Sequence, residues 1–250
     1  MRRLFIGFSY PWRALHLLIG QPRWWRYIAV PIGLNLLVGV VLYTTLMLAG
    51  FHAIDTLVTD WPGWIAWVLR GVLVVALFIG LGYLLVRFGV VLGSPFYSRL
   101  SELLEEQLRS VTLTAPQATP AQLVRDLGRA LLFEVKKFLL MVTIGLPGLL
   151  LNVLPGIGSV LATMIGIALG VTIACLDFFD PPLERRRLTF RAKLGFIRRH
   201  LPASAGFGLI CLGLVSIPLL NLLAVPICIT AGTLFYCDVA TTESATSEHD

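Results

Sequence analysis

The fold is decided by residues 28–51, IAVPIGLNLLVGVVLYTTLMLAGF, an apolar run that contains no charged side chain. A helix of this length can cross the hydrocarbon core of a bilayer, which is about 30 Å thick. A second long apolar run covers residues 64–93 and carries Arg70 and Arg87 towards its ends, where long side chains can reach the headgroups. The sequence therefore predicts two long transmembrane helices joined by a short loop.

The composition supports a membrane protein along nearly the whole chain. Of the 250 residues, 57% are hydrophobic and 14% are charged, whereas a soluble globular domain carries about 25% charged residues. A water-soluble chain of this length could not bury so much apolar surface. We predict an all-α integral membrane fold with one membrane domain at residues 1–238 and a disordered polar tail at residues 239–250.

Two shorter apolar segments follow, and each is interrupted in its middle. Residues 139–154 and 159–176 flank one break, and residues 203–237 contain the other. The residues that mark these two turns are Pro155, Gly156 and Gly158, then Pro218, Asn221 and Pro226. Each pair of halves is typical of a short hemi-penetrating or re-entrant helical hairpin. The alternative is that the hairpins span the bilayer. Broken backbone at membrane depth must be buried in protein or face water, which favours a homo-oligomer.

Three amphipathic segments lie between the apolar runs, at residues 4–20, at residues 94–109 beginning at Ser94-Pro95, and at residues 185–199. The segment at residues 185–199 holds seven Lys and Arg residues. We interpret it as a determinant of membrane topology that contacts anionic lipid. A nucleic-acid-binding role is excluded because this basic helix would lie flush with the membrane.

The distribution of charge predicts the orientation of the protein. Of the 20 Lys and Arg residues, only Arg70 falls outside the segments assigned to one side. The loop at residues 52–63 has two Asp and no Lys or Arg. By the positive-inside rule, the basic side and both termini of this multi-pass protein are cytoplasmic. Insertion in both orientations is the alternative.

No enzyme, cofactor or metal motif is present in the sequence. The four histidines are scattered, and the four cysteines lie in or beside apolar stretches without a CxxC pair, so they are interpreted as small buried hydrophobes.

The most suggestive polar cluster precedes the first long helix and contains Arg23, Trp24, Trp25 and Arg26. A helix N-terminus offers free N–H groups and the positive end of a dipole, so the two arginines would complete an oxyanion pocket. In the alternative interpretation, the tryptophans are an interfacial anchor and the arginines meet lipid phosphates.

Two acidic residues, Glu102 and Glu105, lie on the amphipathic helix that follows the second long run. They could pair with the arginines near the N-terminus or at residues 185–199 and so support the candidate site. The alternative is that both carboxylates belong to a solvated helix face.

The order of short motifs resembles the CysZ sulfate permeases and the wider etoposide-induced-protein superfamily over about residues 5–238. The residues that carry the resemblance are Gln21, Pro22, Arg26, Tyr27, Pro31 and Asn35; Pro95, Phe96, Leu100, Glu102 and Glu105; residues 154–158; Asp177; Phe190 and Arg191; residues 206–208 and 217–222; and Pro226, Ala231 and Gly232.

This resemblance implies a bacterial inner-membrane oligomer that admits sulfate to the cytoplasm for cysteine biosynthesis. The other hypotheses are a non-transporting member with a structural or interaction role, and a membrane enzyme. The family's sulfate site is a Gly-hydrophobic-Arg-Arg turn, which here reads Arg23-Trp24-Trp25-Arg26. Arg26 therefore matches the second arginine, Trp25 replaces the first, and Arg23 replaces the glycine that lets an anion approach the backbone.

Overall fold

The computed structural model describes residues 2–59, 61–109, 120–154 and 156–247, and within these ranges the fold is helical throughout. This confirms the all-α prediction. The α-helices are α1 (Arg2–Gly20), α2 (Trp25–Leu57), α3 (Gly63–Arg109), α4 (Pro120–Leu140), α5 (Leu146–Leu150), α6 (Ile157–Arg185), α7 (Phe190–Arg199), α8 (Ala203–Val215) and α9 (Pro218–Ser247). Short 3₁₀ turns at Pro22–Trp24 and Leu151–Val153 and a π-helical turn at Met141–Gly145 join some of them.

Four segments in the described ranges are long and apolar enough to cross a membrane: Pro22–Leu57, Gly63–Gly82, Ile157–Arg185 and Leu220–Thr241. The first two confirm the predicted pair of long transmembrane helices. The protein buries only 11% of the first apolar window and 6% of the second, so the α2–α3 hairpin needs lipid around it. At the loop end of this hairpin, Arg70 pairs with Asp55.

The expectation that a new helix begins at Ser94-Pro95 is wrong, because α3 runs without a break from Gly63 to Arg109. Its last part is held by tertiary packing, which overrides the local start signal. Tyr97, Leu100 and Leu104 are buried against the rest of the bundle. The amphipathic segment therefore extends directly from the second transmembrane helix.

The core of the bundle surrounds α9, whose apolar window is 72% buried. Phe179 of α6 stacks on Phe207 of α8 at 4.6 Å and lies 5.0 Å from Phe235 of α9 between ring centroids. Helix α1 packs closely on α8, since a Cβ atom at Gly206 would lie 2.2 Å from the Leu4 carbonyl oxygen. Its opposite face keeps Phe5 and Trp12 exposed, as an amphipathic helix at an interface would.

The first predicted hairpin turn includes Gly156, directly before α6, and Gly158 in the first turn of α6, while Pro155 lies outside the described residues. Gly156 has a φ of +84°, which favours glycine, and a Cβ atom at Gly158 would lie 1.9 Å from the Leu151 carbonyl oxygen. Before the turn, α4 passes into the π-helical turn at Met141–Gly145. Pro147 accounts for this widening, because it has no N–H to donate to the carbonyl four residues earlier.

The second break lies at residues 216 and 217, directly before Pro218 begins α9. Asn221 therefore lies in the first turns of α9 rather than in a loop, and its side chain is buried. The expected break at Pro226 is wrong, since α9 continues through it. Packing of the surrounding helices on this buried segment holds the helix together despite the missing N–H group.

Helix α9 also continues past residue 238 to Ser247, and the boundary between membrane domain and tail at residue 239 stays a prediction. Adding residues to an existing helix costs little, because the unfavourable nucleation step is already complete. Residues 248–250 lie outside the described residues.

The basic segment at residues 185–199 is two elements rather than one helix. Helix α6 ends at Arg185, Arg187 adopts a positive φ of 52° in the connection, and α7 begins after Thr189. The Thr189 hydroxyl accepts a hydrogen bond from the Ala192 amide at 3.4 Å, which is a normal N-cap.

Candidate functional site

The candidate site begins with a tight turn at residues 21–26, which we call the anion turn. Pro22 starts the 3₁₀ turn, and the Trp24 amide donates to the Gln21 carbonyl oxygen at 3.1 Å. The Trp25 amide donates to the Pro22 carbonyl oxygen. These bonds use two of the amides that were expected to remain free for an anion, so side chains are the principal donors here.

The two tryptophans of the anion turn fix it to the protein. Trp24 is 1% exposed within the core. Trp25 is half-exposed, and its indole N–H donates to the Leu18 carbonyl oxygen at 3.1 Å. Trp25 therefore ties the turn to α1, and both tryptophans act as a rigid scaffold for the arginines beside them.

Arg23 and Arg26 present exposed guanidinium groups on either side of this scaffold. Arg23 donates to Gln107 Oε1 of α3 at 2.8 Å, and Arg26 donates to the Tyr27 hydroxyl at 2.7 Å while its guanidinium lies over that ring. Within the part of the chain that the structure describes, neither guanidinium pairs with a carboxylate. Both therefore retain their full charge for an anion from solution or from a lipid headgroup.

The two acidic residues predicted to support the site have different partners. Glu102 accepts from Arg99 of its own helix at 2.5 Å, and in the described part of the chain it does not pair with the arginines near the N-terminus or at residues 185–199. Glu105 pairs with Arg185 at 2.7 Å and with Arg186, as the sequence suggested for residues 185–199. The alternative of a solvated helix face is excluded for Glu105, which is 1% exposed.

Burial alone would raise the pKa of Glu105, but the hydrogen bonds from Arg186 and Arg185 and the charges of both arginines outweigh burial and lower the pKa. Glu105 therefore stays ionised at neutral pH and holds the end of α6 against α3. The contribution of this cluster to stability is present above the ordinary carboxyl pKa and is lost as the pH falls through the lowered pKa.

The model of the family described as sulfate transporter CysZ/etoposide-induced protein 2.4 matches residues 10–226. That match covers most of the chain. The chain belongs to this family.

Two relatives illustrate how far the likeness to the CysZ/etoposide-induced family extends. A protein named sulfate transporter CysZ from Pectobacterium atrosepticum is 26% identical over 235 residues, which are 89% of this chain and 84% of the relative. A protein of the same name from Pseudomonas aeruginosa is 28% identical over 224 residues, which are 88% and 89% of the two chains. These alignments cover nearly nine-tenths of the chain, and the family match at residues 10–226 includes the anion turn.

Sequence reasoning missed one buried cation, Lys193, which it counted with the other basic residues of the segment at residues 185–199. Its side chain is 2% exposed, and Nζ lies 2.5 Å from Asp180 and 2.6 Å from Glu184 of α6. The spacing of Asp177, Asp180 and Glu184 along an otherwise apolar helix was the available signal, because charges in such a helix face partners. In this member of the CysZ/etoposide-induced family, these pairs lock α7 onto α6.

Proposed function

We propose that this protein carries sulfate or a related oxyanion across the membrane, as a permease or channel without a catalytic reaction. The observation that carries the proposal is the match along most of the chain to proteins named sulfate transporters. The anion turn supports it, because two exposed guanidinium groups without carboxylate partners in the described residues are suited to bind an oxyanion.

In this proposal Arg26 is the principal anion contact, and Arg23 takes the role of the missing first arginine. Trp24 and Trp25 hold the turn rigid, so the two charges are positioned before the anion arrives. Glu102 and Glu105 act indirectly by fixing Arg99 and the end of α6 near the same helix.

A second candidate function is a structural or interaction role without transport. The observation that favours it is the Trp25 indole, which replaces an arginine of the family's turn and bonds to α1 instead. In that role, Arg23 and Arg26 would meet lipid phosphates and the turn would be an interfacial anchor.

The proposed setting is the bacterial inner membrane, where the imported sulfate would supply cysteine biosynthesis. Exposed apolar side chains cover the hairpin of α4, α5 and α6, and lipid or a second copy of the chain would cover them. We retain the homo-oligomer and the re-entrant hairpins as parts of this proposal, because the helix breaks at Gly156 and at residues 216–217 need protein or water around them at membrane depth.

The orientation can be tested by labelling single cysteines with a membrane-impermeant maleimide. Thr59 is exposed in the loop that has no Lys or Arg, and Arg191 is exposed in the basic segment at residues 185–199. The four native cysteines are buried, so they should give little background labelling. From outside the inner membrane, we expect labelling of Thr59→Cys and protection of Arg191→Cys, because the basic side is cytoplasmic. The reverse pattern would contradict the proposal, and equal labelling of both would indicate dual orientation.

Transport itself is tested by uptake of labelled sulfate into liposomes that contain the purified protein. We expect uptake that exceeds the leak of protein-free liposomes and that depends on Arg26.

A further inference from the structure

A second group of guanidinium groups lies where α3 meets the end of α6, close along α3 to Gln107, which contacts the anion turn. Both carboxylate oxygens of Glu105 are occupied there. Arg185 donates to Oε2 from Nη2 at 2.7 Å and from Nε at 3.2 Å. Arg186 donates to Oε1 from Nη2, and Arg109 approaches Oε1 at 3.5 Å. Arg186 also approaches Oε2 from Nη1 at 3.5 Å, so its two Nη atoms span the carboxylate in the forked geometry with which arginines bind sulfate and phosphate.

The two arginines of α6 are held in place without help from Glu105. Arg185 Nη2 also donates to the Ser101 hydroxyl at 2.9 Å, and that hydroxyl lies 2.7 Å from the Thr233 hydroxyl. Arg186 Nη1 donates to the Pro182 carbonyl oxygen at 2.8 Å, and its guanidinium stacks over the Tyr236 ring at 4.3 Å. If the carboxylate withdrew, both guanidinium groups would remain positioned to receive another anion.

Among the ion pairs of the described residues, the positive charges of this cluster outnumber the negative ones, and its arginines are partly exposed. One carboxylate faces the three guanidinium groups of Arg109, Arg185 and Arg186. The Glu105 side chain is 1% exposed, whereas those of Arg185 and Arg186 are 22% and 29% exposed. A soluble anion can therefore approach the arginines while Glu105 occupies their inner side. A divalent oxyanion matches the excess charge better than a single carboxylate does.

We propose that Arg185 and Arg186 form a second oxyanion site, that Glu105 occupies it in this structure as an internal substitute, and that a divalent tetrahedral oxyanion competes with Glu105 for the two arginines. This inference takes the ligand class from the proposed function but uses different residues. Displacing Glu105 would release α3 from α6, so anion binding at this site would loosen the contact between the two helices.

The test uses the full chain in phosphatidylcholine nanodiscs, titrated with inorganic sulfate by calorimetry at constant ionic strength. Glu105→Gln keeps the size of the side chain but removes the competing charge, so we expect sulfate to bind about tenfold more tightly. Adding Arg185→Ala to Glu105→Gln should abolish that gain. Glu134→Gln is the matched control, because it removes an exposed carboxylate of α4 that pairs with Lys137 of its own helix, and it should bind sulfate as the parent does.

A second arm separates soluble anions from lipid headgroups. Nanodiscs that contain phosphatidic acid replace sulfate as the probe, and tighter retention of that lipid by Glu105→Gln would assign the site to a headgroup phosphate. No gain with either probe, or a gain that persists after Arg185→Ala, would overturn the proposal. If Glu105→Gln does not fold, Glu105→Asp keeps the competing charge but shortens its reach to the arginines, so it should bind sulfate more tightly than the parent by a smaller factor. No gain from Glu105→Asp would then overturn the proposal.

One further titration distinguishes failure of the second oxyanion site from failure of the proposed function at the anion turn. The titrations are repeated with Arg26→Ala in the background, which disables the anion turn and leaves the α6 arginines intact. A gain from Glu105→Gln that survives there supports the second site even if the anion turn proves to be a lipid anchor.

Discussion

Replacing Arg26 with alanine is expected to weaken sulfate binding by about ten- to hundredfold. A charge-assisted hydrogen bond to an oxyanion contributes about 1.5–3 kcal/mol, and the Arg26 guanidinium has only the Tyr27 hydroxyl as a hydrogen-bond partner in the described structure. The measurement is calorimetric titration with inorganic sulfate. Trp25→Arg, which restores the arginine pair of the CysZ turn, should bind sulfate more tightly than the parent.

Arg191→Ala is the control for this prediction, since it removes an exposed arginine of α7 that has no part in the anion turn. It should leave the sulfate affinity unchanged. Equal affinities for the parent, Arg26→Ala and Trp25→Arg would show that the anion turn is an interfacial anchor, and the function would then be the interaction role.

The second large effect concerns stability and falls on Lys193. Lys193→Ala removes the cation that pairs with Asp180 and Glu184 and whose Nζ lies 4.4 Å from the Phe133 ring. Among the described residues Asp180 then has no ion-pair partner, while Glu184 keeps Arg129 at 3.4 Å. Removing one partner of a buried ion pair costs about 3–5 kcal/mol. Because both carboxylates are partly exposed and can be hydrated, we expect a loss at the lower end, about 3 kcal/mol.

This loss can be followed by thermal unfolding in detergent with a thiol-reactive dye, because all four cysteines are buried until the bundle opens. Arg191→Ala on the exposed face of the same helix should change the free energy of unfolding by less than about 0.5 kcal/mol. Similar unfolding temperatures for Lys193→Ala and Arg191→Ala would mean that the ion pairs do not lock α7 onto α6.

The long helices could be predicted from the sequence because lipid imposes a strong local rule. Residues 28–51 must satisfy their own backbone hydrogen bonds in the bilayer, and only a helix does so within one segment. Gly156 was equally predictable, since a glycine that permits positive φ marks the turn between two apolar helices. These features depend on neighbouring residues alone.

The features that sequence reasoning missed depend on contacts between distant segments. The Ser94-Pro95 signal was overridden because Tyr97, Leu100 and Leu104 are buried against other helices. From the sequence alone, Lys193 could not be distinguished from the exposed basic residues near it, because its burial depends on contacts with Asp180 and Glu184 of α6. The sequence named Glu105 and the arginines at residues 185–199 as possible partners, but only the packing of α3 on α6 determines which of them meet.

For the anion turn, the sequence predicted which residues belong to the candidate site. It did not predict whether backbone amides or side chains would donate hydrogen bonds to an anion. A helix start predicts free amides, whereas the 3₁₀ turn uses the amides of Trp24 and Trp25 for its own bonds. In the proposed function, the side chains of Arg23 and Arg26 would therefore donate the hydrogen bonds to the anion. Departure from the glycine of the family pattern agrees with this arrangement, because an anion held by side chains does not need close approach to the backbone.

Transport of sulfate is the central claim, and flux into liposomes tests it most directly. Purified protein is reconstituted into liposomes, labelled sulfate is added outside, and internal label is measured over time for the parent, Arg26→Ala, Arg191→Ala and protein-free liposomes. The account predicts saturable uptake by the parent and by Arg191→Ala, with uptake by Arg26→Ala reduced about tenfold or more at sulfate concentrations well below saturation. Uptake by the parent that equals the leak of protein-free liposomes would contradict it.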